Sequence, residues 1–272
     1  MTRDSQQPLA DASDADDTMT TVVPARSSIR WDSFGSSNVG KIRSINEDAY
    51  LDAGDRALWL VADGMGGHSA GDVASGAIAE AFDLLKPPVG LSDFVDLAES
   101  TLIALNEKFL EMANFGRDGA TIGSTVVVLA ERQGWMIYLW AGDSRLYRWR
   151  RGELHQLTQD HSQVEDLVSQ GILLRENAES HPAANIVTRA VGAAKRFCID
   201  MDYCDVEPGD RFLLCSDGLT KEVSDQAIAE CLARDLDARG LCEQLIETTL
   251  AGRARDNVTV LVTAAPAAVE ST

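Results

Sequence analysis

The chain has 272 residues, 45% of them apolar and 25% charged, a mixture typical of a water-soluble globular protein that excludes collagen-like, coiled-coil and wholly disordered chains. Forty-three acidic against twenty-four basic residues leave a net charge of −19. No basic cluster is longer than Arg148–Arg151, so a nucleic-acid backbone would be repelled.

Residues 1–28 are rich in Asp, Ala, Ser, Thr and Gln and carry too little apolar surface to offset the entropy of ordering, which predicts a disordered acidic tail. Asp4, Asp11, Asp14, Asp16 and Asp17 leave no apolar core for a secretory signal. The longest apolar candidate, Trp135–Ala141, is far short of the roughly 18 residues of a membrane span. A cytoplasmic protein without membrane insertion is the expectation. From Ile29 the pattern becomes strand-like: Ile29 to Asp32 alternates, Ala49–Leu51 is short, and Ala57–Ala62 is nearly continuous. Two helices should follow. Val73, Ala77, Ile78, Ala81, Phe82 and Leu85 share one face of the first; Phe94, Leu97, Leu102, Leu105, Phe109 and Met112 share one face of the second, with Ser92 as its cap.

Strands are then predicted at Ser124–Ala130, Trp135–Ala141 and Leu146–Arg150, with a return strand after the Arg151-Gly152 turn. Residues 159–192 hold one short helix around Val164, Leu167 and Val168 and otherwise read as a surface excursion ending near His181-Pro182. Phe197, Ile199, Met201 and Tyr203 alternate with polar residues as a strand, Arg211–Cys215 is another, and helices near Ser224–Ala233 and Leu241–Leu250 precede a last strand, Val258–Thr263. Cys198, Cys204, Cys215, Cys231 and Cys242 are odd in number and lack CxxC spacing, so they read as reduced thiols. The order of strands, helix pair, strands, helix pair and strand predicts an α+β protein of antiparallel sheets covered by helices. Residues 29–265 read as one domain, with 266–272 a C-terminal tail.

One syntax recurs. Leu58–Ala62 runs into Asp63-Gly64, Phe212–Ser216 into Asp217-Gly218, and Trp135–Ala141 into Gly142-Asp143. Asp256 stands just before the last strand, and Glu47 and Asp48 precede another. Six acids are therefore expected to converge on one rim, where mutual repulsion calls for cations. The donors are all oxygen, which suits Mg²⁺ or Mn²⁺ better than zinc.

Arg43-Ser44-Ile45-Asn46-Glu47-Asp48, Asp63-Gly64-Met65-Gly66-Gly67-His68, Gly123-Ser124-Thr125, Gly142-Asp143-Ser144-Arg145, Leu157 to Ser162, Ser216-Asp217-Gly218-Leu219 and Asp256-Asn257-Val258-Thr259 occur in this order. Together they resemble the motifs of the PP2C (PPM) metal-dependent serine/threonine protein phosphatases over about residues 30–264, most nearly the compact bacterial members that oppose Hanks-type kinases. The resemblance implies an α-β-β-α sandwich of two antiparallel sheets flanked by helix pairs. It implies two core ions, Asp63 bridging them, the Gly64 carbonyl on the first, and Glu47, Asp217 and Asp256 on or beside the second. Asp48 would act mostly through metal-bound water, and Asp143 with Asp217 would hold a third, weaker ion. Trp140-Ala141 departs from the pattern, since the family more often has Asn before Gly-Asp. Residues 159–192 correspond to the family's variable flap.

Two divalent ions sharing a water lower its pKa, giving a hydroxide that attacks phosphorus in line with the leaving serine or threonine oxygen. Arg43 has the planar fork to hold two phosphate oxygens, the alternative being a surface salt bridge with a nearby acid. His68 could protonate the leaving oxygen, the alternative being a hydrogen bond to a metal-ligating carboxylate. Expected partners are phosphorylated proteins, including a Hanks-type kinase and its substrates, and the chain is expected to act as a monomer. Two rivals exist. Gly67-His68-Ser69-Ala70-Gly71 is a literal G-x-S-x-G, but a nucleophile elbow puts its Ser directly after the strand, whereas Asp63 to His68 should intervene here. A non-catalytic phosphopeptide-binding module would have lost one of Asp63, Asp217 or Asp256, and all three are present. Deleting residues 2–28 should leave melting temperature and turnover almost unchanged. A loss of several degrees in a thermal melt would show instead that the tail docks on the domain.

Overall fold

The computed structural model describes residues 30–66, 70–115, 121–178 and 180–266. In chain order the elements are β1 (Asp32–Asn38), β2 (Asp48–Ala53), β3 (Leu58–Gly66), α1 (Ala70–Leu84), α2 (Leu91–Phe115), β4 (Ile122–Ser124), β5 (Val126–Arg132), β6 (Trp135–Ala141), β7 (Arg145–Arg150), β8 (Glu153–Gln156), α3 (Gln163–Ser169), β9 (Asp200–Asp205), β10 (Arg211–Cys215), α4 (Asp217–Thr220), α5 (Asp225–Leu232), α6 (Ala238–Ala251) and β11 (Val258–Ala264). One sheet runs β1-β11-β10-β7-β8 and the other β2-β3-β5-β6-β9, with β4 on the far end of β3. Every pairing between these strands is antiparallel.

Side chains alternate across a strand, and that alternation sorts the apolar residues into three cores. Leu58, Leu60 and Ala62 of β3, with Val126, Val128 and Ala130 of β5, face α1 and α2 and bury Ile78, Phe82, Phe94, Leu102 and Phe109. Trp59 and Val61, one residue out of step, face the opposite sheet and meet Phe212, Leu214 and Leu261. On the outer side of that sheet Leu213, Val260 and Val262 pack under α4, α5 and α6 through Leu219, Ile228, Leu241 and Leu245. The layers are thus helix pair, sheet, sheet and helices, the α-β-β-α sandwich expected.

Several boundaries differ from the sequence reading. The first strand starts at Asp32 instead of Ile29, because residues Asp32 to Asn38 are the ones that pair along the whole of β11. The predicted strand at Ser124 divides into β4 and β5, since β4 pairs with Gly64–Gly66 and β5 with Leu58–Val61. β3 continues past Ala62 to Gly66, held by β4. The second helix opens at Leu91 with Phe94 N donating to the Gly90 carbonyl, which puts Ser92 inside the first turn and not at the cap. Val73 is exposed, so the buried face of α1 is narrower than the periodicity implied. Phe197 and Ile199 precede β9; they lean on the α1–α2 core, while Met201 and Tyr203 on the strand itself are exposed. Among the described residues no helix is long and apolar enough to cross a membrane. The tail to Ile29 and residues 267–272 lie outside the described residues.

Trp59 sits between the sheets, fully buried and edge-on to Trp31 at 5.2 Å between ring centroids. Trp59→Ala should cost about 3–5 kcal/mol in urea unfolding. Trp59→Phe should cost much less, because the indole N–H that it removes has no partner.

Candidate active site

The two sheets present their acidic residues at a common rim, and the backbone holds them there before any side-chain interaction acts. Asp63 lies within β3 rather than at its end. Its N–H donates to Thr125 Oγ1 at 3.1 Å, and its carbonyl accepts from the Thr125 N–H at 2.9 Å and from Ser124 Oγ at 3.0 Å. Thr125 Oγ1 in turn pairs with Ser144 Oγ at 2.7 Å, beside Asp143. Gly64 N donates to the Glu47 carbonyl at 3.0 Å, and a Cβ on Gly64 would overlap the carbonyl of Gly71 at the start of α1. Glycine is required there because three chain segments meet without room for a side chain.

The other sheet supplies the opposite wall. Asn257 ties it to the segment that carries Glu47: its Oδ1 accepts from Glu47 N at 2.9 Å, and its Nδ2 donates to the carbonyls of Val39 and Ile45, both at 3.0 Å. Asp48 Oδ2 accepts from Ser216 Oγ and Thr259 Oγ1, both at 2.7 Å, so one carboxylate bridges β2 to β10 and β11. Asp217 opens α4 directly after Ser216. Asn257, Ser216, Thr259 and Thr125 belong to those motifs but had no role in the sequence reading; Asn257 and Ser216 each stand next to an acid, a signal that could have singled them out, whereas Thr259 and Thr125 carry no such signal.

Burial and crowding set the electrostatics. Burial raises Asp48 to about 6 against the pull of its two hydroxyl donors, with Asp217 and Asp256 adding to the rise. Burial likewise raises Asp143 to about 7, reinforced by Asp217 and Asp160. Asp63 is pushed well above the usual carboxylate range by burial and then by Asp48, Asp217 and Asp143. Asp217 is raised by burial and pulled back by Lys221. Asp48, Asp63, Asp143, Asp217 and Asp256 therefore do form one interacting group. Glu47 joins through Arg43, whose guanidinium is held charged first by Asp256 and more weakly by Glu47 and Asp63.

Arg43 is half exposed and pairs with Asp256 at 2.9 Å. Lys221, absent from the sequence reading, pairs with Asp217 one helical turn back and lies 3.7 Å from Asp256. The i,i+4 spacing from Asp217 was the available signal. Among the described residues no three Asp, Glu, His or Cys side chains are gathered into a ready ion cage; the carboxylates meet these protein cations instead. Asp48 Oδ1 and Asp217 Oδ1 are nonetheless buried without a hydrogen-bond partner. Orphaned carboxylate oxygens in an all-oxygen donor set fit a hard divalent cation. His68 lies outside the described residues, as does Ser69. β3 reaches Gly66, so only Gly67 and His68 separate strand from Ser69, a shorter interval than the one expected.

The departure at Trp140 has a local explanation. The indole Nε1 donates to the Gln159 carbonyl at 2.8 Å and the ring lies parallel to the His161 imidazole, 6.0 Å between centroids. His161 Nδ1 accepts from Gly142 N at 3.1 Å and Nε2 meets Asp200 Oδ2 at 3.1 Å. The root of the 159–192 segment is thereby clamped to the turn that carries Asp143.

A sandwich of this kind with an acid cluster at the rim between its sheets defines a class, the PPM phosphatases, and comparison with known proteins agrees. The protein phosphatase 2C family model matches residues 41–251. The chain is 35% identical over 237 residues to protein phosphatase PhpP of Streptococcus pneumoniae, covering 82% of this chain and 93% of that one. The solved structure of PppA, described as a key regulatory component of T6SS in Pseudomonas aeruginosa, superposes with a TM-score of 0.79 at 40% identity, covering 86% of this chain and 97% of that one. The catalytic domain of the serine/threonine protein phosphatase PstP, in complex with two manganese ions, gives a TM-score of 0.77 at 32% identity over 87% of this chain and 98% of that one. The chain belongs to the protein phosphatase 2C family and is a metal-dependent protein serine/threonine phosphatase.

The raised carboxylates carry a stability consequence. An acid whose folded pKa exceeds its unfolded one contributes stability while protonated and loses it as pH rises through the folded value. With Asp48 at about 6 and Asp143 at about 7, against about 4 in the unfolded chain, the melting temperature in EDTA should fall between about pH 4 and 7. Asp143→Asn should shallow that fall, and an EDTA melting temperature that is flat or rising over this range would contradict the assignment.

Proposed function

We propose that the protein hydrolyses phosphoserine and phosphothreonine in proteins at the rim formed by Glu47, Asp48, Asp63, Gly64, Asp143, Asp217 and Asp256, and that it opposes a bacterial Hanks-type kinase in the cytoplasm. The observation that carries this reading is the crowd of buried, mutually raised carboxylates with orphaned oxygens at Asp48 and Asp217. When bound, divalent cations supply an acidified water and the positive charge that draws a phosphoryl group into so acidic a site.

Each residue of the chain has a distinct task. Asp63, at the centre of the cluster and tied through its backbone to Thr125, would hold both core ions, with the Gly64 carbonyl on the first. Glu47, Asp217 and Asp256 would lie on or beside the second. Asp48, with one oxygen committed to Ser216 and Thr259, would turn its free oxygen toward the ions and act on them mostly through their water. Asp143 and Asp217 serve a third, weaker ion. Arg43 exchanges Asp256 for phosphate oxygens when substrate arrives, since the ion pair of a half-exposed guanidinium costs little to break. His68 donates the proton that the departing serine or threonine oxygen needs.

Purified protein should hydrolyse p-nitrophenyl phosphate and phosphothreonine peptides only with added Mn²⁺ or Mg²⁺, and Asp63→Asn should lower turnover about a hundredfold or more. Calorimetric titration should show weaker Mn²⁺ binding in the same variant. Full activity in excess EDTA would overturn the reading.

A further inference from the structure

We propose that a cleft beside the carboxylate cluster is a second anion-binding subsite, which selects substrates carrying another anionic group, a carboxylate or a second phosphate, close to the scissile phosphate. The proposal rests on the phosphatase reading above and adds a specificity to it.

The cleft has a volume of about 400 Å³ and is lined in part by Lys221, Arg253, Arg255, Glu222 and Asp256. Three cations in so small a space are unusual in a chain with a net charge of −19. Lys221 is held by Asp217, whereas the two arginines meet little competition. Glu222 turns its Oε2 to the Arg253 backbone N–H at 3.0 Å, and Asp256 is engaged by Arg43 at 2.9 Å. Arg253 and Arg255 are both exposed, and among the described residues neither guanidinium reaches a carboxylate. Elsewhere the same side chain is readily paired: Arg56, Arg145, Arg150, Arg175 and Arg189 all hold acids.

The backbone between the two arginines is specially shaped. Ala254 has φ +43°, a left-handed conformation that a residue with a Cβ adopts at a cost, and its side chain is buried. Its carbonyl accepts from the Lys41 N–H at 2.8 Å. Gly40, itself at φ +77°, allows that approach, since a Cβ there would collide with the Ala254 and Asp256 carbonyls. The buried alanine anchors the turn while its neighbours on both sides stay exposed at the cleft.

Position makes the cleft a subsite of the same substrate. A larger groove of about 870 Å³ runs from Asp143 and Asp217 beneath the 159–192 segment, and Lys221 and Asn185 line both it and the basic cleft. The two meet at Lys221 and Asn185, with Asp217 lining the larger groove and Asp256 the basic cleft. A peptide with its phosphorylated residue at the cluster places residues on one side in the large groove and residues on the other in the basic cleft. At about 3.3 Å per extended residue, a group within three positions of the phosphoresidue reaches it.

The test compares phosphothreonine peptides bearing Ala, Asp or a second phosphothreonine within three residues on either side, together with p-nitrophenyl phosphate, all at saturating Mn²⁺. For wild type, kcat/KM at low salt should be about fivefold or more higher for an anionic neighbour than for Ala, on one side of the phosphoresidue only. The Arg253→Glu/Arg255→Glu variant should reduce that ratio to about one or below, with kcat on p-nitrophenyl phosphate and the melting temperature unchanged. A preference for the second phosphate without one for Asp would identify the source of the anion. Equal kcat/KM for all peptides in wild type, or a preference that survives the double substitution, would overturn the subsite. Absence of metal-dependent hydrolysis of every substrate would instead overturn the phosphatase reading.

Discussion

The structure depends on keeping several like charges together in a place water barely reaches. Asp48, Asp63, Asp143 and Asp217 are each raised first by burial and then by neighbouring carboxylates. Such a group tends to spread or to take up protons. What resists spreading is a frame of short polar residues fastening each acid to a strand: Thr125 and Ser124 for Asp63, Ser216 and Thr259 for Asp48, Asn257 for the segment bearing Glu47. The energy to hold that frame comes from the three apolar cores, which fix the two sheets relative to each other.

The same constraint explains the cations nearby. Arg43 pairs with Asp256 and Lys221 with Asp217, while the central Asp63 has no ion pair among the described residues. The rim acids sit on or next to strands of the two hydrogen-bonded sheets, whereas the described part of residues 159–192 holds a short α-helix and a 3₁₀ turn and is tied down at the root by Trp140, His161 and Asp200. Binding elements on loops carried by a rigid scaffold are a general arrangement.

Continuous apolar runs at Leu58–Ala62, Val126–Ala130 and Trp135–Ala141 were visible in the sequence and correspond to strands whose alternate side chains fill two cores from one sheet. Boundaries were less legible. β3 runs on through Asp63 and Gly64 because β4 pairs with it, and no local pattern in an Asp-Gly-Met-Gly stretch announces a strand. Ser92 had the chemistry of a cap, yet the chain turns at Gly90, since the first helical hydrogen bond forms there.

The sequence by itself determined the fold class, the family and the acids that gather at the rim, because each acid lies in a short motif whose neighbours are adjacent in the chain. Only the tertiary structure decided how these acids share their charge. The partners that set the environment of Asp48 lie 168 and 211 residues away, as Ser216 and Thr259. Likewise, Lys221 and Arg43 come together on Asp256 from opposite ends of the chain, and the Arg253–Arg255 turn joins them through a contact with Lys41. Coulomb energy and burial depend on distance in space and on exclusion of water, and neither is a property of neighbouring positions in a sequence.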